Sequence, residues 1–174
     1  MVKKALFVIA PENFRDEEYF ETKANLRDFG FEVLTASRNC KVAKGKLGGQ
    51  TTVELDISEI EKEIFDVLIL VGGPGAIKLA DDTELLSVIK KKFNEGKLIA
   101  AICIAPIILS NSGILKNKNA TVFNDDNRFG EKFLMENGAN YVQEDVVLDD
   151  TILTARGPEV IKNFSEEIVK YLNS

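Results

Sequence analysis

Residues 98–109 read LIAAICIAPIIL, and the rest of the predicted fold is built around this stretch. Five apolar residues lead directly to Cys103, and Pro106 follows three positions later, where proline is tolerated in the first turn of a helix. The pattern predicts a strand, a sharp turn and a helix. Unpaired N–H groups at the helix start favour a thiolate and would bring the Cys103 pKa into the range of about 3.5–7.5. Cys103 is therefore a candidate nucleophile or redox centre. The alternative is a buried cysteine that only packs in the hydrophobic core.

The length, composition and net charge of the chain exclude several classes of protein. At 45% hydrophobic, the 174 residues can bury one sizeable core but hardly two, so we expect residues 1–174 to form a single domain. A net charge of −6 with no basic, aromatic-rich cluster makes nucleic acid a poor candidate partner. With neither an apolar run long enough to cross a membrane nor a signal-peptide core, we expect no membrane association and a cytoplasmic location. Cys40 and Cys103 fit free thiols in a reducing compartment.

The chain contains no histidine. This excludes Cys-His pairs, Ser-His-Asp triads and histidine-type zinc sites within the chain. Proton transfer must then come from carboxylates, lysine, tyrosine or water. Two cysteines cannot complete a structural zinc site either, so we expect neither a metal nor a cofactor.

Short apolar runs alternate with amphipathic segments along the chain. The predicted strands are 3–10, 31–37, 65–71, 97–102 and 120–123, followed by a hairpin of 146–148 and 152–155. The predicted helices are 17–29 (with Phe20, Ala24 and Leu26 inward), 83–95, 105–112, 128–137 and 158–172, with a short one opened by a Ser58–Glu61 capping box. Glycines within 38–56 predict a small hairpin outside the main sheet. This order predicts an α/β fold: a flavodoxin-like, doubly wound, mostly parallel sheet with helices on both faces.

Three features follow the ends of predicted strands. Glu17 and Glu18 come after the first strand, Gly72 and Gly73 after the third, and Cys103 after the fourth. Open α/β sheets place their sites at the carboxyl ends of the strands, so we expect these features to meet at one edge. The glycine turn lacks the phosphate-binding motifs, but its N–H groups could face a developing oxyanion.

Three other polar residues could reach the same cleft. Arg15 and Asp16 precede the first helix and could touch a substrate, although capping of that helix is sufficient to explain Asp16. Arg156 precedes the Gly-Pro pair that begins the last predicted helix, where it could be structural or ligand-binding.

The segments LVGG (70–73), AAICIAP (100–106) and RGP (156–158), with the early Glu17-Glu18 pair, resemble the ThiJ/PfpI superfamily, including its DJ-1 branch, over nearly the whole chain. The resemblance implies the class I glutamine amidotransferase-like version of the flavodoxin-like fold and a homodimer or higher assembly. It also implies that Cys103 is the nucleophile and that Glu18 is the carboxyl beside it. The backbone N–H groups of Gly73, next to Gly72, and of Ile104 would form the anion-binding hole.

That placement has an electrostatic consequence for Glu18 and Cys103. A protonated Glu18 could donate a hydrogen bond to the sulfur and lower the pKa of the thiol. We therefore expect the pKa of Glu18 to be elevated and the two groups to titrate as a coupled pair.

The chain departs from the resembled family at three positions. The protease-like branch has a histidine directly after the cysteine and a glutamate in the loop after the paired glycines; here these positions are Ile104 and Ile77. The DJ-1 branch has a histidine across from the cysteine, where this chain has Phe123. Peptidase activity is therefore disfavoured, because peptide hydrolysis needs a proton for the amine leaving group. Ile104 also makes the predicted pocket more apolar, which favours a hydrophobic ligand.

Four functions remain open. The resemblance implies a glyoxalase- or deglycase-like enzyme of small reactive carbonyls, in which Cys103 forms a hemithioacetal and Glu18 moves a proton between carbons. A second interpretation is a non-catalytic sensor of oxidative stress, or a protective protein, whose output is the oxidation state of Cys103. The third is a cysteine peptidase or hydrolase acting on an acyl substrate. The last is a binding module that holds a flavin or nucleotide at residues 72–75.

Overall fold

The computed structural model describes residues 2–174 of the chain. The strands are β1 (Lys4–Val8), β2 (Glu12–Phe14), β3 (Glu32–Ser37), β4 (Val42–Gly45), β5 (Gln50–Thr52), β6 (Leu55–Asp56), β7 (Val67–Leu70), β8 (Leu98–Ile102), β9 (Asn119–Ala120), β10 (Asn140–Tyr141), β11 (Val146–Asp149) and β12 (Ile152–Ala155). The α-helices are α1 (Asp16–Asp28), α2 (Ala76–Leu79), α3 (Thr83–Asn94), α4 (Pro106–Asn111), α5 (Phe129–Glu136) and α6 (Ile161–Asn173), and two 3₁₀ helices span Ile57–Lys62 and Pro158–Val160.

Seven strands form the central sheet in the order β11-β12-β8-β7-β1-β3-β6. The neighbours from β12 to β6 are parallel, and β11 pairs antiparallel with β12 through the predicted C-terminal hairpin. From β1 the chain adds β3 and β6 on one side, and then β7, β8 and β12 on the other. The order thus reverses between β1 and β7, where doubly wound sheets place their ligand crevice. The predicted fold class is confirmed.

The middle strands are apolar because both faces of the sheet are covered. All five residues of β8 and all four of β7 are buried. Helix α1 packs against β3 and α6, whereas α3 and α4 pack together on β8. Right-handed crossovers that add strands in opposite directions put α1 and α3 on opposite faces of the sheet. The buried apolar side chains form one continuous core around it.

Helix α1 buries Leu26 as predicted, but not Phe20 or Ala24. Its buried residues include Glu18, Tyr19, Thr22 and Leu26, whereas Phe20 is 37% exposed and Ala24 is exposed. Spacings of three and four residues place this set on one stripe of the helix. A buried carboxyl on the core-facing stripe of α1 is therefore a feature that the apolar pattern did not reveal.

The capping box of the first 3₁₀ helix lies two residues earlier than predicted. Asp56, not Ser58, is the N-cap: its side chain accepts from the Ser58 N–H at 3.0 Å, and Glu59 accepts from the Asp56 N–H at 2.8 Å. Both positions carry the residue types of a capping box, and the structure uses the first.

The chain outside the main sheet forms two small sheets. The predicted hairpin is confirmed as β4 and β5, which β2 joins in a three-stranded sheet. The strand predicted at 120–123 is only the two-residue β9, paired with β10, so Phe123 lies in the loop that follows. The last α-helix begins at Ile161, after a 3₁₀ turn over Pro158–Val160. Within residues 2–174, no helix has the length and apolar character needed to span a membrane.

Candidate active site

Cys103 occupies the turn between β8 and α4, as the sequence predicts. Its φ is 61°, a left-handed conformation that is uncommon for a residue with a side chain. The Cys103 N–H donates to the carbonyl of Ala155 at 2.8 Å, and the Phe123 N–H donates to the carbonyl of Cys103 at 2.8 Å. Strained backbone of this kind persists where the surroundings fix it, and it clusters at functional sites.

Glu18 brings a carboxyl into the interior beside Cys103. The residue is 0% exposed, and its Oε2 accepts a hydrogen bond from the Gly72 N–H at 2.9 Å. Its Oε1 is buried and has no oxygen or nitrogen partner among residues 2–174. A buried carboxyl with an unpaired oxygen is costly as an anion, which favours holding a proton there.

The glycine turn after β7 fits between these two residues because it lacks side chains. A Cβ atom at Gly72 would lie 2.7 Å from Oε2 of Glu18 and 2.8 Å from Cβ of Cys103. Gly73 has φ +95°, and a Cβ there would lie 2.5 Å from the backbone nitrogen of Arg15. The Arg15 N–H in turn donates to the Gly72 carbonyl at 3.0 Å. Glycine is therefore required at both positions for the ends of β7 and β8 to meet the start of α1.

The pKa values of Glu18 and Cys103 are both raised. Burial raises the pKa of Glu18 from 4.5 to about 7, opposed by hydrogen bonds from Cys103 and Gly72, so the expected elevation is confirmed. Burial, followed by the charge of Glu18, raises the pKa of Cys103, although the N–H groups of Ile104 and Gly73 donate to the sulfur and oppose the shift. The expected lowering of the Cys103 pKa is wrong, because desolvation and the nearby carboxylate outweigh the short helix start. The pair titrates as one coupled unit in which a second ionisation is strongly opposed.

A cavity of about 410 Å³ opens above Cys103. Its lining includes the predicted site residues Gly73, Cys103, Ile104, Arg15 and Phe123. This volume lies within the size range of small-molecule sites. The structure thus brings the candidate nucleophile, two backbone donors and a ligand-sized space together at the carboxyl edge of the sheet.

Asp16 and Arg156 lie away from this cavity lining. Asp16 is not the N-cap of α1; its two carboxylate oxygens accept from the N–H groups of Leu47 and Gly49, both at 2.7 Å. Arg156 pairs through Nε with Asp145 at 2.7 Å and with Glu159 at 3.4 Å, and it lines a neighbouring cavity of about 330 Å³. Asp16 therefore anchors the hairpin loop, and Arg156 belongs to an exposed ion-pair cluster.

The cavity also contains residues that the sequence did not single out. Lys46, Asp125, Phe129 and Glu159 line it together with the predicted residues. Lys46 comes from the β4–β5 loop that Asp16 holds, and Phe129 begins α5. The positions of these loops depend on long-range contacts, which the sequence does not show. Glu159 could have been found from the sequence, because it directly follows Gly157-Pro158 at a predicted helix start.

The residues of the described chain contain no cluster of three or more histidine, cysteine, aspartate or glutamate side chains placed to hold a metal ion.

Two cationic side chains, Lys46 and Arg15, line the cavity. Arg15 is paired with Glu17, its Nε lying 2.9 Å from Oε2, so its charge is partly neutralised.

Comparisons with known proteins show what the chain is similar to. The family model described as DJ-1/PfpI matches residues 3–171. The deglycase PfpI of Pyrococcus furiosus is 31% identical over 97% of this chain and 99% of its own length. The glutathione-independent glyoxalase DJR-1.2 of Caenorhabditis elegans is 28% identical over 98% of this chain and 89% of its own.

A solved structure extends the agreement to three dimensions. The ThiJ/PfpI domain protein of Brachyspira murdochii superposes with a TM-score of 0.92 at 35% identity, covering 99% of this chain and 97% of that one. The match of the family model and the shared architecture run over nearly the whole length. The chain therefore belongs to the DJ-1/PfpI family.

Proposed function

We propose that this protein is a cysteine-dependent enzyme that converts small 2-oxoaldehydes into 2-hydroxy acids, a glyoxalase-like activity. The observation that carries the proposal is the contact between Cys103 and the buried carboxyl of Glu18, whose pKa is raised to about 7. A general base is most effective when its pKa is near the working pH. The deglycase and glyoxalase names of the relatives support the same class of substrate.

The first step joins Cys103 to the aldehyde carbon. Carboxylate Glu18 takes the S–H proton as the sulfur attacks the aldehyde carbon, so that a C–S bond forms and the carbonyl π electrons move to oxygen. Glu18 then returns that proton to the alkoxide, giving a neutral hemithioacetal. The N–H groups of Gly73 and Ile104, which already face the sulfur, are available to stabilise the oxyanion.

The second step moves hydrogen between the two carbons. Glu18 removes the C–H proton of the hemithioacetal, giving an enediolate, and then delivers a proton to the adjacent carbon. Transfer of the remaining hydroxyl proton to the other oxygen leaves a thioester of the 2-hydroxy acid. Water hydrolyses the thioester, releasing the acid and regenerating the Cys103 thiol. One carbon is oxidised and its neighbour is reduced, so no external oxidant is required.

Turnover of methylglyoxal, followed by NMR as formation of lactate, tests this proposal. We expect Cys103→Ala to abolish turnover and Glu18→Gln to lower kcat by about 100-fold or more. Cys40→Ala is the matched control, because Cys40 lies outside the lining of the Cys103 cavity and is the other free thiol of the described chain. Turnover that is equal in wild type and Cys103→Ala would refute the enzyme.

A second candidate function is a sensor of oxidative stress, favoured by the unpartnered Oε1 of Glu18. When Glu18 is protonated, this side chain could donate to an oxygen of a Cys103 sulfinate, beside the N–H groups of Gly73 and Ile104. Cys103 attacks the peroxide oxygen and releases water, and a second peroxide adds the second oxygen. Mass spectrometry after mild peroxide treatment should then show two added oxygens on Cys103 and none on Cys40. Equal oxidation of both would contradict the sensor.

The two free thiols of the described chain fit a location in the cytoplasm, where thiols are kept reduced.

A further inference from the structure

We propose that the cavity above Cys103 selects 2-oxoaldehydes whose second substituent is an aryl or branched alkyl group, in preference to methylglyoxal. The inference rests on the proposed function and adds the substrate class to it. It concerns the part of the cavity away from the reacting carbons, where the substituent of a bound 2-oxoaldehyde would lie.

Large apolar side chains converge on this cavity although they are exposed to solvent. Ile77 is 48% exposed, Phe123 44% and Phe129 43%, and all three line the same space as Ile104. Single exposed hydrophobic residues are normal on protein surfaces, whereas a contiguous set around a concave site indicates a ligand groove. Covering these side chains with an apolar substituent removes their surface from water, which a methyl group does to a much smaller extent.

The aromatic side of the cavity is fixed relative to the nucleophile. The Phe123 N–H donates to the Cys103 carbonyl at 2.8 Å, which ties this residue to the turn that carries Cys103. Asp125 accepts from the Phe129 N–H at 2.9 Å and so holds the first turn of α5. A Cβ atom at Gly130 would lie 2.1 Å from the Phe123 carbonyl oxygen, so the helix start and the loop are in direct contact. A surface whose backbone is already positioned loses less entropy on binding a ligand than a mobile loop would.

The charges around the cavity favour a neutral substituent. Lys46 and Arg15 line it, but so do Asp125 and Glu159, and Arg15 is paired with Glu17. Because acidic and basic side chains both line the cavity, and Glu159 is itself paired with Arg156, neither an anionic nor a cationic substituent meets a surplus of opposite charge. An aryl or branched alkyl group does not depend on such a surplus.

The test compares kcat/KM for phenylglyoxal and methylglyoxal in wild type and in Phe129→Ala, with Phe123→Ala as a second variant. The ratio of the two kcat/KM values cancels general damage to catalysis, and we expect it to fall by about tenfold in each variant. Met135→Ala is the matched control: it lies on the same helix, is 58% exposed and is not part of the cavity. A ratio that is unchanged in both variants, or a wild-type preference for methylglyoxal, would overturn the inference.

Alkylation of Cys103 separates this inference from the proposed function. Iodoacetanilide and iodoacetamide both transfer a carbon to sulfur with loss of iodide, and they differ only in a phenyl group. Wild type should favour iodoacetanilide at Cys103 relative to Cys40, and Phe129→Ala should remove that preference. If no 2-oxoaldehyde is turned over but this preference is present, the proposed enzyme activity is wrong and binding of an aryl group in the cavity is supported. If turnover is present without the preference, the proposed binding of an aryl group is wrong and the enzyme activity is supported.

Discussion

The backbone N–H of Gly72 donates to Oε2 of Glu18 at 2.9 Å, which ties the end of β7 to the first turns of α1. The other carboxyl oxygen, Oε1, is buried without a hydrogen-bond partner in the described part of the chain, and the Glu18 side chain contacts Cys103. The carboxyl is thus held in place by a backbone N–H while its side chain stays in contact with the Cys103 thiol.

This relationship predicts how the chain responds to Gly72→Ala. The new Cβ would lie 2.7 Å from Oε2 of Glu18 and 2.8 Å from Cβ of Cys103, so the variant should lose about 1–3 kcal/mol of unfolding free energy through crowding. Gly96→Ala is the contrast, because Gly96 has φ +76° and open space around it. It should lose about 1 kcal/mol through backbone strain and leave Cys103 alkylation unchanged. Equal alkylation kinetics in both variants would show that Gly72 does not shape the site.

Glu18 should make the fold less stable as the pH rises. Its folded pKa of about 7 lies above its ordinary value of 4.5, so the native state holds the proton more tightly than the unfolded state. The stability it contributes is complete below pH 4.5 and is lost as the pH rises through 7. The unfolding free energy of wild type minus that of Glu18→Gln should therefore fall by up to about 3 kcal/mol across this window. Urea unfolding at several pH values checks this; a difference that rises with pH would contradict the burial of a neutral carboxyl.

The thiol of Cys103 should become easier to ionise when Glu18 loses its charge. The Glu18 carboxylate is the second cause of the raised pKa of Cys103, after burial. In Glu18→Gln the pKa of Cys103 should fall, whereas Glu17→Gln, at the half-buried neighbour paired with Arg15, should leave it unchanged. The pH dependence of iodoacetamide labelling, resolved by mass spectrometry with Cys40 as internal reference, measures both. A Cys103 pKa that rises in Glu18→Gln would mean that Glu18 stabilises the thiolate.

Asp16 should act on the site through the loop that carries Lys46. Asp16→Ala leaves the N–H groups of Leu47 and Gly49 without their acceptor, which should lower the unfolding free energy by about 1–3 kcal/mol. Because Lys46 lines the cavity and takes no part in the proposed proton transfers, we expect KM to rise and kcat to change little. Asp28→Ala, at the exposed end of α1, is the control. A fall in kcat at constant KM would place Asp16 in the chemistry instead.

The sequence predicts the parts of this site that depend on local pattern and on the geometry of parallel sheets. The apolar run before Cys103 and the proline after it predict the turn between β8 and α4, and the rule for strand ends brings Glu18, Gly72 and Cys103 together. The role of Asp16 could not be predicted, because a helix cap and a long-range loop anchor require the same residue type. The pKa of Cys103 was predicted in the wrong direction because the depth of burial outweighs the helix start, and depth is not visible in a local pattern.

The pH dependence of kcat/KM for a 2-oxoaldehyde, in wild type and Glu18→Gln, tests the pairing of Cys103 with Glu18 most directly. If the Glu18 carboxylate takes the proton of Cys103, kcat/KM of wild type should rise with pH through an inflection near its pKa of about 7. In Glu18→Gln the remaining rate should be at least about 100-fold lower and should lack that inflection. The same inflection in both proteins, or an undiminished rate in Glu18→Gln, would show that another group moves the proton and would contradict the account.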